Sequence, residues 1–497
     1  MHIHSPYHDR RSEAGHRHGR SPAGYLRTHP RARAEAIQVP LCGLLLLPWA
    51  LLAAEPVVEV EEDVYAYVPP SNGAGPMWCS GSACIVRAGG TVFVSGTETL
   101  DEVPPLNNVR WTLWARGDNG WRLLHRDDEG LTREPSPLAS LGDGRLLLSA
   151  NPTLNPPGTP GGGPAEPQVL RFDVRHPRGS PESMPPVWIG ETAFTEHSYR
   201  SFASDAARHE AFLLQNVGYE HAEWSFLEDR GEWTHQGRLV WPVVGAHDAP
   251  YSLRLCYPNV AVRDRSVYFC GVSDIIEPNP EWRAFKQDLT GQDWDYDFRR
   301  LFYAWCPDVA TGEFTPWVEV ASRDDTCGWI SPGDLWVAED GRVHLLWTER
   351  AIDERLRERF FPEAKQRYSL EHAVVDGTQV VERRTLVEGG DGLGGVVPGL
   401  ARFHGTPSGE LYVLCYIGGT RPDGGAQSEN WLLRLSRDGA VSERWVVPFD
   451  HPFSSFFAAG PRNGSEPSDV LDILGESPDL PNTVRYARVR APDTGNG

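Results

Sequence analysis

Residues 334–347 read DLWVAEDGRVHLLW: a short apolar strand, a tight Glu-Asp-Gly turn, and a second strand denser in aliphatic residues. The same grammar recurs in ACIVRAGGTVFVSG (83–96), PLASLGDGRLLLSA (137–150), NVAVRDRSVYFCGV (259–272) and GLARFHGTPSGELYVLCY (399–416). Looser copies are SFASDAARHEAFLLQ (201–215) and FAAGPRNGSEPSDVLDIL (457–474). After a variable gap each unit adds an aromatic-rich third strand, such as VRWTLWAR (109–116) or RRLFYAWCP (299–307), and often a short fourth. First strands begin near residues 81, 135, 199, 257, 333, 398 and 456, about one every 62 residues. Repeats of four strands at this period predict an all-β chain, a seven-bladed β-propeller of four-stranded blades. The spare strand VVEVEEDVYAYV (57–68) is expected to pair with the last blade, since a ring leaves an edge to cover. Helical periodicity is confined to residues 350–366.

The 497 residues carry 68 Asp+Glu against 47 Lys+Arg, a net charge of −21, and only two lysines, Lys286 and Lys365. An acidic chain without a basic block repels a phosphate backbone, so nucleic acid is excluded as a partner. Residues 1–36 are arginine- and histidine-rich with few aliphatics, and read as a poorly ordered polar segment. Within residues 37–54, VPLCGLLLLPWALL (39–52) has the length of a signal-peptide core and is too short for a membrane span. The expectation is a secreted or periplasmic monomer, off the membrane once the signal is removed, with residues 55–497 as one propeller domain. Seven cysteines follow Cys42; Cys79 and Cys84 lie closest in sequence, and spacing fixes no pairing. No CxxC pair marks a metal site, so no cofactor is assigned; structural calcium or zinc stays open.

Loop lengths orient the ring. The second-to-third connections at 97–108, 151–166, 216–222, 273–298, 349–367 and 417–429 are long and share a face with the residues that open each first strand. Binding and catalysis concentrate on such loops. Glu134, His197, Tyr199, Arg200, Arg254, Tyr257 and Asp334 open first strands there; His221, Asp274, Arg299, Arg300 and Arg350 come from the long loops. Imidazole, phenol and carboxylate groups in one depression suit proton abstraction or glycoside cleavage. Arg200, Arg254, Arg299 and Arg300 suit the grip of an anionic sugar. Trp111, Trp114, Trp305 and Trp431 are expected between blades, whereas Trp282, Trp294 and Trp329 are placed to stack on sugar rings.

The turns ARGDNGW (115–121) and SRDGAVSERW (436–445) resemble the Asp-box of BNR/sialidase-like propellers, S-x-D-x-G-x-x-W, although the sialidase Arg-Ile-Pro signature is missing. The series His197, His221 and Tyr257-Pro258 resembles the propeller polysaccharide lyases that act on ulvan-type uronate polymers, and the related rhamnohydrolases. That resemblance implies a carbohydrate substrate, poly- or oligosaccharide and anionic, with His197, His221 and Tyr257 as catalytic residues. Tyr199, Arg200, Arg254, Asp274, Arg299, Arg300, Glu134 and Asp334 would bind it. Where the pattern carries an arginine about sixteen residues after the tyrosine, this chain has Ser273 and then Asp274, which transfers charge neutralisation to Arg254, Arg299 or Arg300. Hydrolysis by a carboxylate pair, and a non-catalytic glycan- or protein-binding propeller, remain the alternative readings.

Overall fold

The computed structural model describes residues 55–245, 250–292 and 295–492; the segments expected to be a polar tail and a signal peptide lie outside them. Seven four-stranded antiparallel sheets form the ring. Their first strands are Ile85–Ala88, Leu138–Ser140, Ser201–Asp205, Leu255–Arg263, Trp329–Val337, Gly395–Gly405 and Ser455–Ala458, which define blades 1 to 7. Blades 1 to 3, 5 and 6 each run through four consecutive strands from the axis outward, and in blade 4 a small ladder of Ile275–Ile276 with Tyr296–Asp297 comes between the second and third strands. In blade 7 the fourth place is taken by Val57–Ala66, antiparallel to Leu480–Arg490 from Val57 opposite Arg490 to Ala66 opposite Thr483. The closing strand predicted from 57–68 is therefore present.

Burial explains the sequence pattern. Glu210–Val217, the second strand of blade 3, is buried at every position but the last because sheets flank both its faces. Trp233–Val240, its fourth strand, alternates towards solvent. The fourth strand of blade 2 is only Glu182–Ser183, held short by neighbouring Pro181, Pro185 and Pro186, which cannot donate to a ladder. Trp111 and Trp431 lie buried between blades as expected, while Trp114 and Trp305 are partly buried against Tyr65 and Tyr268. Both Asp-box-like stretches fall at third-to-fourth turns.

Three local expectations change. Residues 216–222 are not a long loop, because Glu210–Val217 and His221–Leu227 are joined by a three-residue turn. Residues 417–429 are mostly strand. The 273–298 connection holds a helix, α1 (Pro280–Thr290), whose start is written in the sequence: Asn279 accepts hydrogen bonds from the Glu281 and Trp282 amides, and Pro280 opens the first turn. A shorter helix, α2 (Glu354–Phe360), occupies part of the predicted 350–366 segment. All seven cysteines among the described residues are buried.

The axis is filled. The link between the first two strands of blade 7 crosses it: the Asn463 side chain donates to the Ile85 carbonyl in blade 1, the Asn463 carbonyl accepts from Ser140 in blade 2, and the Arg462 carbonyl accepts from Ser204 in blade 3. Gly464 has φ +78°, and a Cβ there would stand 1.9 Å from the Ser140 carbonyl oxygen. From the other end, residues 77–82 lie over blade 4, with the Cβ position of Gly81 only 2.1 Å from the Pro258 carbonyl oxygen. Arg462 donates to the carbonyls of Gly81 (2.9 Å) and Val260 (3.3 Å) and to Asp334 (2.8 Å). Arg402 donates to those of Ser80 (2.6 Å) and Gly333.

Asp334 also accepts from the Phe403 amide at 2.9 Å, so it ties blades 5, 6 and 7. Removing it would leave the buried Arg402 and the partly buried Arg462 charges without their carboxylate. Asp334→Ala is expected to lower unfolding stability by about 3–5 kcal/mol in chemical denaturation; a loss below about 1 kcal/mol would contradict this role.

Candidate functional site

On the face of the long connections, four rings meet over the plugged axis. Trp78, from the segment preceding blade 1, stacks on Tyr199 at 5.1 Å between centroids and 19° between planes. It also touches His197 (5.1 Å) and Tyr257 (5.9 Å). His197 and Tyr199 are 4.5 Å apart edge to face, and Tyr199 and Tyr257 are 5.4 Å apart. Tyr199 (φ +39°) and Tyr257 (φ +47°) are both left-handed where first strands begin. Bulky residues rarely adopt that conformation, and it persists where the surroundings enforce it, often at functional sites. Trp78, His197 and Tyr257 keep partial solvent access, whereas Tyr199 is buried beneath them.

Electrostatics keep this cluster nearly neutral. Arg254 pairs with buried Asp274 at 2.6 Å and lies 4.0 Å from the Tyr219 ring centroid, with the Tyr199 ring at 5.4 Å. Burial and then the Asp274 charge push the Tyr199 phenol well up, and the Tyr219 and Tyr296 hydroxyls meet at 2.9 Å. Burial, then the positive charges of Arg133 and Arg254, push His197 down to about 3, although its imidazole keeps 22% exposure. It is a neutral base at ordinary pH. Burial pushes Tyr257 well up, holding its phenol protonated.

Several expected substrate contacts are placed elsewhere. Glu134 lies 3.6 Å from the His197 Nδ1 but is buried, accepting from the Ser198 amide (2.8 Å) and hydroxyl. Arg200 is sealed within the ring, donating to the Pro135 carbonyl at 2.7 Å. Asp334 belongs to the axial bolt. Arg299 is buried between Glu277 (3.4 Å) and Asp324 (3.2 Å), and Arg300 pairs with Asp324. His221 faces Glu223 at 3.8 Å, a carboxylate held by Arg238 and Thr192, and makes no ring contact with the His197 group. Glu134, Arg200, Arg299 and Asp334 are buried in the scaffold, whereas His221 and Arg300 stay partly exposed and engaged with carboxylates. The structure brings together His197, Tyr199, Tyr257, Arg254 and Asp274.

Sequence reasoning missed Trp78, which lies in the segment before the first strand of blade 1 and outside the repeat. It also missed Phe298, 5.8 Å from Tyr257 and 4.5 Å from Trp329, and the buried lysine of α1. Lys286 pairs with Glu277 at 2.8 Å, and Glu277 also accepts from the Cys327 thiol. Trp282 packs on Phe361 and Arg299, whereas Trp294 lies outside the described residues. Among the described residues no group of three or more His, Cys, Asp or Glu is arranged to hold a metal, and no helix is long and apolar enough to cross a membrane.

No protein-family model matches the chain, and no curated protein matches it. Among solved structures it is similar to an α-L-arabinofuranosidase of Fusarium graminearum bound to an iminosugar inhibitor (13% identity, 79% of this chain and 98% of that one, TM-score 0.40). A polysaccharide lyase (10%, 71% and 89%, 0.33) and an apocarotenoid oxygenase of Synechocystis (12%, 87% and 92%, 0.41) are similar at the same level. At these scores the likenesses assign no chemistry to this chain, and those three enzymes differ in chemistry among themselves.

The depressed His197 has a measurable consequence. In the unfolded chain it takes a proton below about 6.5, and in the folded protein only near 3, so its share of stability is lost as pH falls between those values. His197→Gln is expected to flatten the decline of urea-unfolding stability between about pH 6.5 and pH 4, by up to about 1.4 kcal/mol per unit. Identical slopes in the two proteins would contradict a buried neutral imidazole.

Proposed function

We propose that this protein is a carbohydrate-active propeller whose reaction is carried by the His197, Tyr199 and Tyr257 cluster, with β-elimination from a uronate-containing glycan as the favoured reaction. The observation that carries this reading is the neutral, partly open imidazole of His197 beside protonated phenols on an aromatic wall. In elimination, His197 removes the proton on the carbon next to the uronate carboxylate. The C–H electron pair becomes the new double bond, the bond to the leaving oxygen breaks, and Tyr257 protonates that oxygen. Trp78 offers an apolar wall against which a sugar ring packs. Hydrolysis by a carboxylate pair is less favoured because it needs two carboxylates facing substrate, and sialidase-like hydrolysis because the tyrosine it would use as nucleophile is held protonated. Glu134 and Asp334 are each held by backbone amides, and Asp274 is paired with Arg254. A non-catalytic glycan-binding role would leave the neutral base without a task. Export directed by residues 37–54, and action as a monomer on extracellular glycan, belong to the same proposal.

The test is incubation with a panel of uronate polysaccharides, following the ultraviolet absorbance of unsaturated product alongside reducing ends. His197→Ala and Tyr257→Phe are expected to lower turnover by about 10²-fold or more with the thermal midpoint preserved. Reducing ends without unsaturated product would replace elimination by hydrolysis. Wild-type turnover in His197→Ala would remove this residue from the reaction.

A further inference from the structure

We propose that Arg350 is the carboxylate-reading residue of a second subsite, reached from the His197 cluster along Tyr257, Phe298 and Trp329. The inference rests on the carbohydrate reading of that cluster and names the class of sugar it selects.

Trp329 opens the first strand of blade 5 and Arg350 closes the second; the two are direct partners in the ladder, so both stand on the face of the His197 group. The rings succeed one another at 5.8 Å (Tyr257 to Phe298) and 4.5 Å (Phe298 to Trp329), and the Arg350 guanidinium carbon lies 5.6 Å from the Trp329 centroid. Tyr257, Phe298, Trp329 and Arg350 all keep partial solvent access, which makes a continuous apolar rail ending in a cation.

What separates Arg350 from the arginines named above on this face is that no carboxylate pairs with it directly, Asp353 acting on it only from beyond ion-pair distance. Arg254 has Asp274; Arg299 has Glu277 and Asp324; Arg300 has Asp324. Around Arg350 the carboxylates are already engaged. Glu349 accepts from the Trp347 indole and from Arg383, both at 2.7 Å, and also binds Arg323. Asp353 binds Arg355 and faces Lys286 at 3.8 Å. Among the described residues no carboxylate stands within 4.0 Å of Arg350, and its Nε is shielded from water with no hydrogen-bond acceptor. A desolvated N–H without an acceptor is costly, and a ligand oxygen placed there relieves the cost. A guanidinium steadied by an indole ring and offering a planar fork fits a carboxylate better than a hydroxyl.

The probes are glucuronate- and galacturonate-containing oligosaccharides and the same oligosaccharides after carboxyl reduction, titrated against the full chain by tryptophan fluorescence. Wild type is expected to bind at least one acidic member roughly ten-fold tighter than its reduced counterpart, with that preference shrinking at high salt. Arg350→Gln is expected to erase the preference while changing affinity for the reduced sugar less than about two-fold, and Arg350→Lys to restore part of it. No preference in wild type, a preference intact in Arg350→Gln, or equal weakening towards both sugars would each overturn the proposal. Turnover measured in the same samples separates the two readings. Carboxylate-dependent binding without turnover sinks the catalytic role of His197 and keeps Arg350; turnover without carboxylate preference does the reverse.

Discussion

The structure depends on guanidinium groups driven into the axis of the ring and satisfied there by main-chain carbonyls. A propeller brings the first strands of all its blades together, and their inward carbonyls face a narrow space. Here Arg462 joins the carbonyls of Gly81 and Val260, and Arg402 those of Ser80 and Gly333, with Asp334 as shared counter-ion. Arg200 gives one bond, to the Pro135 carbonyl, beside Glu134, and its Nε and Nη1 have no hydrogen-bond partner. The bonds of Arg462, and that of Arg402 to Ser80, join segments far apart in sequence, whereas those to Gly333 and Pro135 join neighbouring blades, so the ring is braced across its middle as well as along its rim.

That bracing shapes the site. With the axis filled, the loop face presents the partly exposed rings of Trp78, His197 and Tyr257, and the side chains around them have their charges settled internally. Asp274 absorbs Arg254, and Glu196 stands 3.4 Å from Arg133. The residual positive field of those arginines nevertheless disfavours a third cation, and with burial it keeps His197 neutral. Phenol, indole and uncharged imidazole are what remain exposed, a surface suited to the apolar faces and hydroxyls of sugars.

The ring was legible because a sheet flanked on both sides needs uninterrupted apolar second strands, as in LLLSA (146–150) and AFLLQ (211–215), and tight turns need Gly or Asp between them. The closing strand was legible for the complementary reason, being a strand with no blade of its own. Site residues were harder. Position at a strand opening correctly singled out His197, Tyr199 and Tyr257 as neighbours, but the same rule selected Arg200 and Asp334, which point into the axis. One-dimensional spacing does not say whether a side chain at the rim turns outward or inward, and a left-handed φ at Tyr199 and Tyr257 alters that direction locally. Trp78 escaped notice because it precedes the first repeat, and Lys286 because its partners, Glu277 and Asp353, come from two different connections.

The loop that plugs the axis belongs to blade 7, the blade that also holds the seam with Val57–Ala66. Unzipping that seam therefore pulls the central bolt at the same moment and admits water to Arg402, buried beside the carbonyls of Ser80 and Gly333. Open-ended repeat arrays shed terminal modules one by one. A ring latched in this way has no terminal module to shed. Its melting should be a single concerted event, and a protease should find either the intact circle or nothing folded at all.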